Sequence, residues 1–256
     1  MKGARSGRPA KAAPKREVRT APSSAPKPSM DDRVAAVLTE LAALSTPKDL
    51  ANLTRFGIRA KGALGVAMNR IHAVAKRLGK DHDLAAALWK TDCYEARLLT
   101  SFIDDPGLVT PAQMESWCRD FDNWGICDTL CFHLFDRTRH ARAKVKPWCA
   151  KKGEYQRRAG FALLACLAGH DSDAPDAFFS DGLALIEKFA DDERNFVKKA
   201  SNWALRRIGL RNAVLCREAT EVAKRLAASA SPSARWNGKD ALRQFAKASA
   251  RRSAAK

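Results

Sequence analysis

Three hydroxyl–proline pairs constrain this chain more than any other feature: Thr46-Pro47, Thr110-Pro111 and Ser231-Pro232. Proline fixes φ and has no amide hydrogen, so within a helix it is tolerated only in the first turn. A preceding Ser or Thr caps that turn by accepting a backbone N–H. Each pair therefore marks a helix start, and Gln113, three residues after Thr110, completes the pattern of a capping box. Gly79, Gly107, Gly169 and Gly209 read as helix stops. Between these marks apolar residues recur at helical spacing, and no alternating run flanked by hairpin turns occurs. The pattern predicts helices over 31–45, 47–56, 66–78, 82–90, 93–103, 111–122, 124–135, 138–151, 154–169, 175–190, 194–208, 212–228 and 232–248. Paired helices recur roughly every 40 residues, the period of HEAT-type repeats rather than of a single bundle. The expected fold is all-α, a HEAT-like repeat α-solenoid with a concave face.

Charge says what such a face would hold. The 256 residues carry 46 Lys and Arg against 28 Asp and Glu, a formal net charge of +18. Residues 1–29 hold eight cations and one acid, which leaves +11 on the remainder. An excess spread over the body suits a polyanion: nucleic acid, an anionic membrane or an acidic protein. A concave basic groove shaped to something long is the expectation. No apolar run is long enough for a transmembrane helix, and none near the N-terminus resembles a signal core, so membrane and secreted classes are not favoured. Residues 1–29, basic and rich in Pro, Ser and Ala, read as a disordered arm. Residues 30–248 form the helical repeat domain, and 249–256 a basic tail. Seven cysteines, an odd number, read as free thiols in a reducing, cytoplasmic setting.

Three stretches carry candidate chemistry. In FDNWGICDTLCFHLF (121–135) a carboxylate, Asp128, lies one helical turn after Trp124 and one before Phe132, in an otherwise apolar helix. A buried carboxylate needs a partner. That partner is either a cation supplied by a substrate or an internal arginine, Arg157 or Arg158. In RNFVKKASNWALRRIG (194–209) Trp203 falls within a stripe made by Lys198, Lys199, Arg206 and Arg207, where an indole can pack against sugars or bases while the cations meet phosphates. Packing of Trp203 against a neighbouring repeat is the alternative. In EYQRRAGFALLACLAGH (154–170) Arg157 and Arg158 open an apolar helix about 100° apart, so they face different surroundings.

The remaining polar residues read as structural. Cys127, Cys131 and His133 do not share one helix face, so core thiols are expected there and no metal or cofactor. His72, His82, His140 and His170 read as solvated or capping. The acids of DDERNF (191–196) read as a helix N-terminus complementing the dipole rather than a magnesium site. Trp89, Trp117, Trp148 and Trp236 read as filling gaps between repeats. No dinucleotide-binding, Walker A or zinc-protease motif occurs.

From about residue 50 to 245, through RFGIRAKGALGVAMNRIHAVAKRLGKDHDLAAALWKTDCYEARLL (55–99) and the three stretches above, the chain resembles the HEAT-like alkylpurine DNA glycosylases, the AlkD-like DNA alkylation repair proteins. The resemblance implies a monomeric solenoid wrapped around double-stranded DNA, associated with the nucleoid in a bacterium. It implies Asp128 as the catalytic carboxylate, with Trp124 and Trp203 lining the lesion cleft. Arg158 matches the phosphate-contacting arginine better than Arg157, and Lys198, Lys199, Arg206 and Arg207 would hold adjacent backbone. The implied reaction is hydrolysis of the N-glycosidic bond of cationic N3- or N7-alkylated purines, without strand cleavage. Some branches of the family bind unusual DNA, bent or branched, without excising bases. Around Trp124 and Asp128 the chain departs from the best-known members in Gly125-Ile126-Cys127.

Overall fold

A computed structural model describes Gly3 and residues 28–60 and 62–254. Most of the expected N-terminal arm lies outside the described residues. Among them are thirteen α-helices, a single 3-10 turn at Phe135–Arg137 and no strand. The helices are α1 (Met30–Ala43), α2 (Pro47–Arg55), α3 (Met68–Leu78), α4 (His82–Trp89), α5 (Tyr94–Ile103), α6 (Pro111–Arg119), α7 (Trp124–His133), α8 (Ala141–Cys149), α9 (Glu154–His170), α10 (Asp176–Lys188), α11 (Asn195–Gly209), α12 (Ala213–Ala227) and α13 (Pro232–Ala254). The last runs six residues past the boundary at 248 expected from the sequence, so 249–254 prolong a helix rather than begin a tail.

The starts follow the capping chemistry. Thr46 and Thr110 accept from the amides of Asp49 and Gln113, each with proline at the first helical position. Ser231 Oγ accepts from Ala234 N at 3.3 Å. The return half of the Thr110 box is not made, because Gln113 Nε2 donates instead to Asp104 at 2.7 Å. Only one of the four expected glycine stops acts as one: Gly79 caps α3 at φ +71°. Gly107 lies in the turn before α6, Gly169 lies inside α9, and Gly209 is the last residue of α11. The latter two serve close approach. A Cβ on Gly169 would come within 1.9 Å of the Arg207 guanidinium, and one on Gly209 within 2.5 Å of the Phe245 ring.

Two layers result. α3, α5, α7, α9, α11 and α13 stack in order as one row, and α4, α8, α10 and α12 pack behind it. α1 closes the N-terminal end against α4 and α5. α9 is the axis of the row, buried without interruption from Arg158 to Ala168. It approaches α8 so closely that a Cβ on Gly160 would meet Cys149 N at 2.4 Å. Tryptophans fill the back layer: Trp89 and Trp117 stack with ring centroids 4.3 Å apart, and Trp148 is fully buried with its indole N–H on Glu115 at 2.8 Å. Trp236 corrects the fourth assignment, being 41% exposed on α13. The loop before α3 is held by a buried carboxylate, since Glu95 accepts the amides of Leu64, Gly65 and Val66 at 2.9, 2.8 and 3.3 Å.

Candidate functional site

The open side of α7 carries Trp124, Asp128, Phe132 and His133, all half-buried, while Ile126, Cys127, Leu130 and Cys131 face the core. Asn123 caps the helix, its side chain accepting from Ile126 N. Gly125 is sterically required: a Cβ there would lie 2.6 Å from the Tyr94 hydroxyl and 3.1 Å from Ile58. The Trp124 indole N–H donates to Phe56 O at 3.0 Å, which ties the site to the turn that follows α2. Phe56 itself is 59% exposed beside it.

Asp128 meets an internal arginine. Arg158 Nε and Nη2 donate to its two carboxylate oxygens at 2.8 and 2.6 Å, and Arg158 Nη1 donates to Phe196 O at 2.6 Å. Of the two partners open at the sequence level, the arginine is thus present. The side chains are 22% exposed for Asp128 and 7% for Arg158, so Asp128 is partly accessible while the guanidinium is enclosed. Burial pushes the Asp128 carboxyl above its ordinary value, and the charge and hydrogen bonds of Arg158 pull against that. Three of the nitrogens of Arg158 are committed inside the protein, and the group is positioned to orient Asp128 rather than to reach a phosphate.

Arg157 faces elsewhere, as the 100° offset requires. It donates to Asp192 at 2.7 Å and to Lys151 O at 2.9 Å, and lies over the Phe189 ring. Asp192 also receives Arg194, so this one acid of DDERNF is an ion-pair partner, and all three acids precede α11, which begins at Asn195, rather than forming its first turn. His82 and His170 likewise pair with the buried Asp104 and Asp136 rather than being solvated.

On α11 the half-buried Trp203 and exposed Lys199 lie between two flanks. Phe196 and Arg207 lie toward α9, where Phe196 O takes Arg158 and Arg207 covers Gly169. Lys198 and Arg206 lie toward α13, Lys198 over the Trp236 ring at 5.3 Å and Arg206 3.8 Å from Asp240. Lys199 and Arg207 have no ion-pair or hydrogen-bond partner among the described residues. The expected cationic stripe is therefore unevenly available: Lys199 and Arg207 are without such partners and Lys198 and Arg206 are partly engaged, while Arg157 and Arg158 on α9 are engaged by Asp192 and Asp128.

Rings extend the groove wall one turn beyond Asp128. His72, Phe102, His133, Phe132 and His170 touch in that order, with centroids 4.5, 4.7, 4.8 and 4.5 Å apart, across α3, α5, α7 and α9. Burial, then Arg137, His72 and His170, pull the His133 pKa down to about 4, so its ring is neutral at pH 7. The row, Phe56, Phe196 and the Trp236–Lys198 contact were not singled out in the sequence, because each arises between elements far apart along the chain. Cys127 and Cys131 donate to the carbonyls of Tyr155 and Ala159 at 3.6 and 3.7 Å as core thiols. No cluster of metal-ligating side chains occurs among the described residues, and no described helix is long and apolar enough to cross a membrane.

Among the described residues, thirteen helices in two stacked layers, with aromatic and cationic side chains and a carboxylate along one row, make a HEAT-like solenoid. The family model described as DNA alkylation repair enzyme matches residues 37–245, and the chain belongs to that family. No curated protein matches it. Among solved structures it is similar to a protein described as one of "a new family of proteins related to the HEAT-like repeat DNA glycosylases with affinity for branched DNA structures". The TM-score is 0.67 at 22% identity, over 75% of this chain and 82% of that one, which establishes the shared fold. A designed armadillo repeat protein also aligns, at 13% identity and a TM-score of 0.33, over 86% of this chain and 95% of that one.

Proposed function

We propose that the chain is a monofunctional DNA glycosylase that releases cationic N3- and N7-alkylated purines from duplex DNA held along its groove. The observation that carries this reading is the placement of Asp128: a half-buried carboxylate on the same side of α7 as Trp124, one turn from it, and fixed in orientation by Arg158. An alkylated purine is already a good leaving group. Its C1′–N bond breaks with the electron pair going to the base, and positive charge develops on the sugar. A carboxylate beside C1′ stabilises that charge and accepts a proton from the water that adds there. The Arg158 pair limits rotation of the carboxylate and leaves each oxygen a second lone pair for the groove. Trp124 and Trp203 offer π-faces to the sugar and its cation. Lys199 and Arg207 are the cations best placed for phosphates. None of Trp124, Asp128, Arg158 and Trp203 is an amine able to form a Schiff base, so strand cleavage is not expected.

A second reading has its own support. Arg158 neutralises the charge that the reaction would use, and the solved relative is described by affinity for branched DNA. In that reading the groove binds bent, branched or damaged DNA without excision. Incubation with methylated duplex separates the two. Wild type is expected to release free 7-methylguanine, and Asp128→Asn, which keeps an oxygen for Arg158, to bind the duplex and release none. Salt-sensitive binding by wild type without release would establish the binding-only reading instead.

A further inference from the structure

α13 carries a face that the lesion site does not use. Trp236, Lys239, Arg243 and Lys247 are exposed and spaced three, four and four residues apart, so they line one side of the helix. The row is about 17 Å long, roughly five phosphate steps along one DNA strand. An indole 41% exposed is unusual for a residue that normally seeks a core or an interface. No acid neutralises the row as a whole. Asp240, which Arg206 and Arg243 share, is the acid beside it, and Lys198, Lys239 and Lys247 have no acidic partner among the described residues. Lys198 rests instead over the Trp236 ring. The face is continuous with the groove, because Lys198 and Arg206 of α11 meet Trp236 and Asp240 of α13 on the side next to Trp203 and Lys199.

We propose that this face is a second DNA contact, in which Lys239 and Lys247 take phosphates of the duplex flanking the lesion site and Trp236 packs against a deoxyribose between them. The inference rests on the reading that the groove holds DNA. It adds a part of the footprint remote from Asp128, where contact with the backbone carries no sequence information and serves to hold the duplex in register.

The test uses the full chain and a linear duplex long enough to leave the groove at both ends, with affinity measured across a salt series. In Lys239→Ala/Lys247→Ala the slope of log affinity against log salt is expected to fall by about 2, one unit for each lost phosphate contact. Trp236→Ala is expected to weaken binding about tenfold with little change of slope, and Trp236→Phe to recover most of the loss. Circular dichroism confirms that each variant keeps its helices. If wild type binds and both sets of variants match it in slope and affinity, the second contact is wrong while the DNA-holding groove stands. If the variants lose binding to phosphatidylserine vesicles but not to DNA, the face belongs to a lipid surface and the proposal is overturned. If wild type itself does not bind duplex, the reading of the groove fails, and this inference with it.

Discussion

Arg158 has a stake in folding as well as in the groove. Its guanidinium is almost enclosed and bridges α7, α9 and α11 through Asp128 and Phe196 O. Removing one member of a buried pair strands the other, at a cost of about 3–5 kcal/mol. Arg158→Met is therefore expected to lower chemical-denaturation stability by that amount, whereas the double change Asp128→Asn/Arg158→Met recovers most of it. A double-mutant cycle by urea titration checks this, and additive losses would show that the two groups act independently. The sequence narrowed the partner of Asp128 to a substrate cation or one of two arginines, and could go no further. A helical wheel gives directions about one axis, while the choice depended on how α9 is rotated against α7.

Elements were more legible than contacts. Helix starts at 47, 111 and 232 follow from backbone chemistry within four residues, and local chemistry survives tertiary context. Glycine was ambiguous because it serves two purposes. A positive φ at Gly79 and a flat surface for Arg207 at Gly169 look alike in a string of letters. Trp236 was misplaced because an indole ordinarily seeks a core, and only the packing of α12 and α11 on the other sides of α13 leaves it outside. Glu95 shows an element depending on a single side chain. It satisfies three amides of the loop that launches α3, two of them in buried contacts. Orphaned buried donors cost about 1–3 kcal/mol each. Glu95→Ala is expected to cost at least about 3 kcal/mol, with the loss of amide protection concentrated at residues 64–66. Protection unchanged there by hydrogen exchange would contradict it.

Across the molecule, carboxylates stitch successive repeats, and their ionisation ties stability to pH. Burial alone would raise the Asp192 carboxyl, but hydrogen bonds from Arg194 and Arg157 outweigh it and hold the group at about 2. Glu115, half-buried and bonded by Lys144, Trp148 and Lys151, is likewise held at about 2. A depressed folded value means that the stabilisation is fully present above the unfolded value near 4 and is lost as pH falls toward 2. Asp104 and Asp136, raised by burial, change in the opposite sense. The effect is therefore best read one group at a time. In Asp192→Asn the loss of stability between pH 4 and pH 2 is expected to shrink by about 2 kcal/mol relative to wild type. An acid limb of unchanged steepness, measured by thermal melts across that range, would show that Asp192 does not couple α9 to α11.

The hydrogen that stands in for a side chain at Gly125 reaches well beyond its own helix. Because the Tyr94 hydroxyl and Ile58 already occupy the room a methyl would need, the three positions form one lock whose parts must change together. A descendant that acquires even alanine at 125 has to trade tyrosine for phenylalanine at 94 or trim residue 58. Substitutions around Asp128 are thereby tethered to α5 and to the turn after α2, and the neighbourhood of the carboxylate can diverge only in coordinated steps.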